Sequence, residues 1–369
     1  MDKIRLGLSA TLSGNLSLQG IESFNGLVLW SEYQNSLGGI YLKELKKSLP
    51  VELIYFDDKS DPVNAAKITR DLIAGEMVDL LLGPYSSNLS LACAEVANSH
   101  GRVLWNYGGS TDEIFTNKYK KTVSFITPAS LYFYPYLDFL ISSGSKDQKI
   151  AVVYAEDSGF STQVALGAVN YAKLLGLKIK IIKYLSGSNN FTEILNQIRK
   201  DKIKNILGVG RFEDDLRFAT YLSEFNSCLV GAGIDQFKTD LCKDCEGYCS
   251  VSQWESGVKL EQDFGVDSSI YTDLFISRFG KVPDYTSAQS FNVGNILSHF
   301  IEILGTVDEE KIRKEIINSR FTTFYGEFSI DSDTNLQTGH KTVVTQWQNG
   351  KKEIIFPPGL STSSHNPLS

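Results

Sequence analysis

The sequence predicts an α/β protein of two doubly wound, parallel-sheet lobes joined by a multi-strand hinge. Three observations carry that prediction. Short apolar runs alternate with amphipathic helical stretches from residue 4 onward; the alternation closes at Phe125-Ile126-Thr127-Pro128 and then restarts; and β-rich segments return near the end of the chain after a block of helices. At 369 residues the chain exceeds one typical domain, and about two lobes are expected.

Residues 4–8, with Ile4, Leu6 and Leu8 in alternation, read as a strand, followed by a Gly/Ser loop and a helix over 21–34 that stops at Leu37-Gly38-Gly39. The next strand, 51–56, ends in Asp57-Asp58. Asp61 as cap and Pro62 in the first turn open a helix over 62–74. Residues 78–82 are an apolar run broken only by Asp79 and closed by Gly83-Pro84, the pattern of a strand buried on both faces. Ser86 and Ser87 stand where a helix begins, since Leu89, Ala92, Cys93 and Val96 recur at helical spacing. A serine N-cap there leaves first-turn N–H groups facing outward with the positive end of the helix dipole, an arrangement that binds carboxylates. The strand 102–106 ends in Tyr107-Gly108-Gly109-Ser110-Thr111, a second hydroxyl-rich turn at the carboxyl edge where ligands of open α/β sheets sit. Each hydroxyl alone fits an ordinary turn or cap. Their convergence on one edge reads as half of a ligand pocket.

The restarted alternation runs helix 131–141, strand 150–154, helix 161–175, strand 177–184, helix 191–200, strand 203–209, helix 213–225 and strand 229–231. Past Trp254 come helices at 270–279, 288–304 and 309–318 with no sheet of their own to cover, so they are expected to return to the first lobe. Residues 326–330 and 340–347 are β-rich, and Asn349-Gly350 before Ile354 marks a hairpin turn. The expected division is 1–126 with 255–328 for the first lobe, 127–254 with 329–357 for the second, and 358–369 as a tail. A chain that crosses between lobes more than once makes a multi-strand hinge, and hinged lobes close on ligands.

Apolar residues make up 42% and charged residues 21%, the balance of a globular chain. A net charge of −7 and a pI near 5.3 exclude the basic face that a nucleic-acid partner needs. No run of eighteen apolar residues spans a membrane, which leaves membrane association through a partner or a missing anchor. The N-terminus leads straight into a strand without a visible signal peptide, and the Ser/Pro-rich tail from Pro357 reads as a linker that once continued. Together these suggest a trimmed, mature form. Cys228, Cys242, Cys245 and Cys249 fall within 22 residues, with no histidine near to complete a zinc site, so one or two disulfides pinning a surface loop are expected among them. Cys93 reads as a buried small hydrophobe.

Enzymatic patterns are missing. No G-x-G-x-x-G follows the first strand, Gly208-Val209-Gly210 lacks its third glycine, and neither G-x-S-x-G nor H-E-x-x-H occurs. His100, His299, His340 and His365 are scattered. Neither catalysis nor a cofactor is expected.

In their order along the chain, Leu12-Ser13-Gly14, Gly38-Gly39-Ile40, Asp57-Asp58, the Gly83-Pro84-Tyr85-Ser86-Ser87 turn, Tyr325-Gly326-Glu327-Phe328-Ser329-Ile330-Asp331 and Val344-Thr345-Gln346-Trp347-Gln348-Asn349-Gly350 resemble a known family. This is the solute-binding proteins of ABC transporters of the branched-chain amino acid type, the type I periplasmic binding proteins, and the likeness runs from Ile4 to about Pro357. It implies a periplasmic or extracellular, membrane-associated receptor that holds an amino acid or related carboxylate between its lobes and delivers it to an ABC permease complex. It further implies that Ser86 and Thr111 bind the ligand carboxylate, helped by Ser87, Tyr107 and the Ser110 backbone, with Gln19 reaching the cleft from below. From the second lobe, Phe160 falls near the family's aromatic position, although packing at a helix start explains it as well. Asp235 is the nearest match to an acidic partner for the ligand ammonium. Arg211 departs from the pattern and is either a salt-bridged surface residue or the holder of a second ligand carboxylate. The alternative is a cytosolic sensor of the same fold, similar to the amide-responsive regulators of amidase operons. Native disulfides support export, and free thiols with a regulatory partner support the sensor.

Overall fold

The computed structural model describes residues 1–115, 117–144, 149–241 and 245–366. The chain forms two compact units, Met1–Pro128 with Val258–His340, and Ala129–Gly257 with Lys341–Ser369, so it passes from one to the other three times. Residues 127–128 and 329–340, assigned by sequence to the second lobe, lie in the first unit, and 255–257 lie in the second. The reason for the larger shift is local: Ser329 donates to and accepts from the segment around Gln337 and Thr338, which keeps 329–340 folded against Glu327–Phe328.

The first unit is built on a five-stranded parallel sheet in the order Val51–Asp57, Ile4–Ala10, Leu80–Leu82, Leu104–Asn106, Thr122–Ser124. Leu6 pairs with Leu80 and Leu8 with Leu82, so the second strand laid down in the chain is on one side of the first and the third is on the other. That reversal is a topological switch point, and its crevice opens at the carboxyl ends of Ile4–Ala10 and Leu80–Leu82. The helices Pro62–Ala74 and Ser87–Ser99 cover one face through Ala65, Leu72, Leu89, Cys93 and Ala97. Against helix Ser17–Ser36 lies Tyr285–Leu304, joined by Trp30 Nε1 to Ser298 Oγ at 3.2 Å and Ser23 Oγ to the Thr286 carbonyl at 3.1 Å.

The second unit repeats the plan. Its sheet runs Lys178–Tyr184, Lys149–Ala155, Asn205–Val209, Asn226–Leu229, Cys249–Ser252, all parallel, and is extended by the antiparallel hairpin Val343–Gln348 and Lys351–Phe356. Ile150 and Val152 face a cluster with Leu137, Val164 and Ala168, whereas Ala151 and Val153 face Phe191, Leu195 and Phe218. Both faces are covered, which is why the strand reads as continuous apolar sequence. Here too the order reverses, between Lys149–Ala155 and Asn205–Val209.

Four local expectations are corrected. The helix expected over 213–225 is Phe212–Ala219, and the strand expected over 229–231 is Asn226–Leu229 followed by a 3-10 turn, Val230–Gly233. The cysteine-rich stretch holds an interior strand, Cys249–Ser252, where a pinned surface loop was expected; Cys228 and Cys249 are buried free thiols at paired positions of neighbouring strands. Cys245 is buried beside Phe237 and Tyr248, and Cys242 lies outside the described residues. The tail, expected to be a linker, is bonded to the terminal hairpin as far as it is described: Thr362 N–H donates to the Ile354 carbonyl at 2.8 Å and Asn366 N–H to Gln346 Oε1 at 2.8 Å. No helix among the described residues is long and apolar enough to cross a membrane.

Candidate ligand-binding site

At the first unit's switch point three strand ends meet. Ile4–Ala10 delivers Thr11, Leu80–Leu82 delivers the turn 83–86, and Leu104–Asn106 delivers 107–111. Thr11 Oγ1 donates to the Tyr85 carbonyl at 2.5 Å and lies 3.0 Å from Asp58 Oδ2, which also accepts from Ser9 Oγ at 2.9 Å. Asp58 is fully buried, and burial raises its pKa despite the N–H of Ser60 and the two hydroxyls. Helix Ser17–Ser36 approaches so closely that a Cβ at Gly20 would lie 2.1 Å from the Thr11 carbonyl. Only glycine allows that contact, and it brings Gln19, 6% exposed, beside the same turn with no partner for its amide among the described residues.

The two hydroxyl-rich turns are tied to each other by Ser87. Its Oγ accepts the N–H groups of both Ser110 and Thr111 at 3.2 Å. Asn106 brackets the second turn from inside, donating to the Gly109 carbonyl at 2.6 Å and accepting the Gly109 N–H at 2.9 Å. Ser86 occupies the N-cap position of helix Ser87–Ser99 but makes no capping bond, and its half-buried hydroxyl has no partner among the described residues. The Ser110 hydroxyl likewise has none, and Ser110 and Thr111 are 4% and 5% exposed. The first-turn N–H groups of an uncapped helix are open to an acceptor.

The Ser110 N–H, expected to help hold a ligand, is already given to Ser87. Tyr107 is buried in the first unit, where burial and then the charges of Asp58 and Cys93 raise its hydroxyl far above its usual range. Thr11 and Asn106 were not singled out from the sequence, and Asp58 only as part of the Asp57-Asp58 pair that ends a strand. Thr11 had a visible signal, being the first residue past a strand that points at the carboxyl edge.

In the second unit, Phe160 and Arg211 follow the two strands that flank its switch point. Phe160 is half-buried, at the start of helix Gly159–Leu174 capped by Ser158, and meets Tyr132 edge-on with ring centroids 5.4 Å apart. Arg211 is exposed at the N-cap of helix Phe212–Ala219. Asp235, expected to meet a ligand ammonium, is instead paired with Lys352 at 2.9 Å.

Behind Arg211 lies a buried carboxyl. Asp215 Oδ2 accepts the Gly231 N–H at 2.7 Å, while Oδ1 and the nearby Tyr184 hydroxyl have no hydrogen-bond partner among the described residues. A Cβ at Gly210 would fall 2.1 Å from the Tyr184 oxygen and 3.3 Å from Asp215 Oδ1, so glycine is required where the strand ends. Burial pushes the Asp215 pKa to about 7, against the opposing N–H groups of Gly231 and Gly210. A carboxyl whose folded pKa is raised holds its proton in the folded protein after losing it in the unfolded chain, so stability falls as pH rises from about 4 to about 7. Asp215→Asn should remove this dependence: we expect its thermal midpoint to exceed that of the wild type at pH 8, by a stability increment of roughly 2–4 kcal/mol, and to match it within error at pH 4. Equal offsets at both pH values in thermal unfolding would show that Asp215 is ionised throughout.

The comparisons with known proteins agree with this architecture. The profile of the family described as periplasmic binding protein matches residues 3–352. The Leu/Ile/Val-binding protein homolog 7 of Brucella abortus (strain 2308) is 24% identical, covering 98% of this chain and 93% of its own. Among solved structures, the leucine binding protein LivK of Thermotoga maritima MSB8 superposes with a TM-score of 0.81 at 18% identity, covering 95% of this chain and 97% of that one. A solute binding protein of an ABC transporter from R. palustris, in complex with benzoate, gives 0.77 at 17% identity over 100% and 99%. With its family profile matched over nearly the full length and both sheets wound in the same order, this chain belongs to the periplasmic binding protein family.

Proposed function

We propose that this chain is the extracytoplasmic substrate-binding component of an ABC transporter, that it captures an amino acid or related small carboxylate, and that it presents the ligand to a permease. The observation that carries the reading is the pair of hydroxyls without a partner among the described residues, Ser86 and Ser110, at the first unit's switch point, on turns that Ser87 locks together. Hydroxyl donors beside an uncapped helix N-terminus suit a carboxylate, because hydrogen bonds to a charged acceptor contribute about 1.5–3 kcal/mol each. Leucine and benzoate, named with two of the similar structures, share only that group, which supports a carboxylate as the common requirement. In this reading Ser86 and Thr111 hold the carboxylate and Gln19 contributes its amide.

A thermal-shift screen of amino acids, aromatic acids and their amides tests the proposal. A ligand present at a hundred times its dissociation constant stabilises the folded protein by about 2.7 kcal/mol, so at least one free carboxylate should raise the midpoint by several degrees while its amide does not. A screen in which amides shift the midpoint as far as the acids do would refute the carboxylate assignment and favour a sensor of amides.

A further inference from the structure

The amino-terminal edge of the second unit's sheet gathers positive charge in a chain whose net charge is −7. Lys149 and Lys178 open neighbouring parallel strands at paired positions, and Lys204 immediately precedes Asn205, which pairs with Ile150 on the other side. Helix Thr192–Lys200 ends at the same edge and adds Lys200 and, in the turn after it, Lys202. All five are exposed, and none makes an ion pair among the described residues. The carboxylates here are engaged already. Asp201 accepts Lys180 Nζ at 2.6 Å, and its pKa is lowered first by that bond and further by the charges of Lys180, Lys149 and Lys200, so one acid is shared among three cations. Glu224 is taken by Arg199 at 2.6 Å. Lysine guards an edge strand against mispairing, which explains Lys178 and Lys180 on the outermost strand, Lys178–Tyr184. It does not explain Lys149 and Lys204 at the starts of interior strands, where like charges side by side repel. Beside them Leu174 ends helix Gly159–Leu174, just before Lys178, and is 83% exposed, more than any other large apolar side chain among the described residues.

We propose that this edge docks on an anionic phospholipid bilayer, with the lysines over the headgroup phosphates and Leu174 entering the interface. Lysines around one protruding apolar side chain suit such a surface: the charges supply the attraction, and the leucine leaves water at the boundary of the acyl chains. A soluble polyanion offers the leucine nothing. The contact needs no spanning helix, and the opposite, carboxyl end of the same strands, which Phe160 follows, stays turned away from the lipid. It holds whatever ligand the first unit takes.

Sedimentation of the full chain with lipid vesicles tests it, comparing phosphatidylcholine alone with an equimolar mixture of phosphatidylcholine and phosphatidylglycerol. The expected result is binding to the anionic vesicles only, weakening as salt is added. Lys149→Gln, Lys178→Gln and Lys204→Gln combined should lower the partition coefficient roughly a hundredfold without lowering the thermal midpoint, since these exposed side chains make no ion pair among the described residues. Lys43→Gln, Lys46→Gln and Lys59→Gln combined, which removes the same charge from exposed positions of the first unit, should leave it almost unchanged. Leu174→Ser should lower vesicle binding roughly tenfold while binding of inorganic polyphosphate stays as in the wild type. Sedimentation with neither vesicle, equal sedimentation with both, or equal losses from the two triple variants would overturn the proposal. So would a Leu174→Ser variant that binds anionic vesicles as the wild type does, which would make the edge a surface for soluble polyanions or an acidic protein.

Discussion

Ser86→Ala combined with Thr111→Ala should lower ligand affinity by roughly a hundredfold to ten-thousandfold, the loss of two hydrogen bonds to a charged group at about 1.5–3 kcal/mol each. The Ser86 half of the change should cost little stability. The Ser86 hydroxyl has no partner among the described residues, and the Thr111 backbone N–H that fixes its turn remains bound to Ser87. Ser87→Ala is the informative contrast, because its hydroxyl is the shared acceptor for two buried N–H groups. Removing it leaves both unsatisfied, at about 1–3 kcal/mol each, so this variant should lose thermal stability as well as affinity. Titration calorimetry and thermal unfolding on the three proteins distinguish a contact residue from a positioning one. Undiminished binding by the double variant would place the ligand elsewhere.

The sequence made the winding legible because parallel strands covered on both faces read as short apolar runs, and because glycine, proline and hydroxyl residues punctuate them. Ser86, Ser87, Ser110 and Thr111 could be picked out for the same reason: in a sheet of this kind, the residues just past a strand's carboxyl end lie on the ligand edge. Features that depend on distant pairing escaped. Cys249–Ser252 is a four-residue strand of cysteine, serine and valine, and nothing local distinguishes it from a loop; it is a strand because Asn226–Leu229 flanks it on one side and Val343–Gln348 on the other. The role of Ser87 escaped because its acceptor function needs Ser110 and Thr111 to arrive from the next strand. The ion pair of Asp235 escaped for a related reason, since its cation comes from Lys352, far along the chain.

That cation was readable after all. The Asn349-Gly350 turn fixes a two-residue hairpin, and the register it imposes sets Lys352 opposite Trp347. Trp347 is buried, so its cross-strand partner must point to the same covered face, and a lysine there needs a counter-charge. It finds Glu255 at 2.8 Å, with Asp235 and the Gly233 carbonyl completing its shell, and its side chain is 5% exposed against 9% for Glu255. Burial alone would lower the Lys352 pKa, but the two carboxylates raise it overall; burial pushes Glu255 up to about 7 even with Lys352 opposing. Lys352→Met therefore leaves a buried carboxylate without its cation, and the expected loss is about 3–5 kcal/mol at pH 8. Asp235, half exposed, adds little to that figure. The loss should shrink at pH 5, because Glu255 escapes the penalty by taking a proton, and a carboxyl with a raised folded pKa favours the folded state as pH falls. Adding Glu255→Gln should recover most of the stability at pH 8, since a buried pair is costlier half-removed than wholly replaced. Denaturant unfolding of the single and double variants at the two pH values decides the matter: a loss that is the same at both, or a double variant no more stable than Lys352→Met, would mean that Glu255 is held by something other than this lysine.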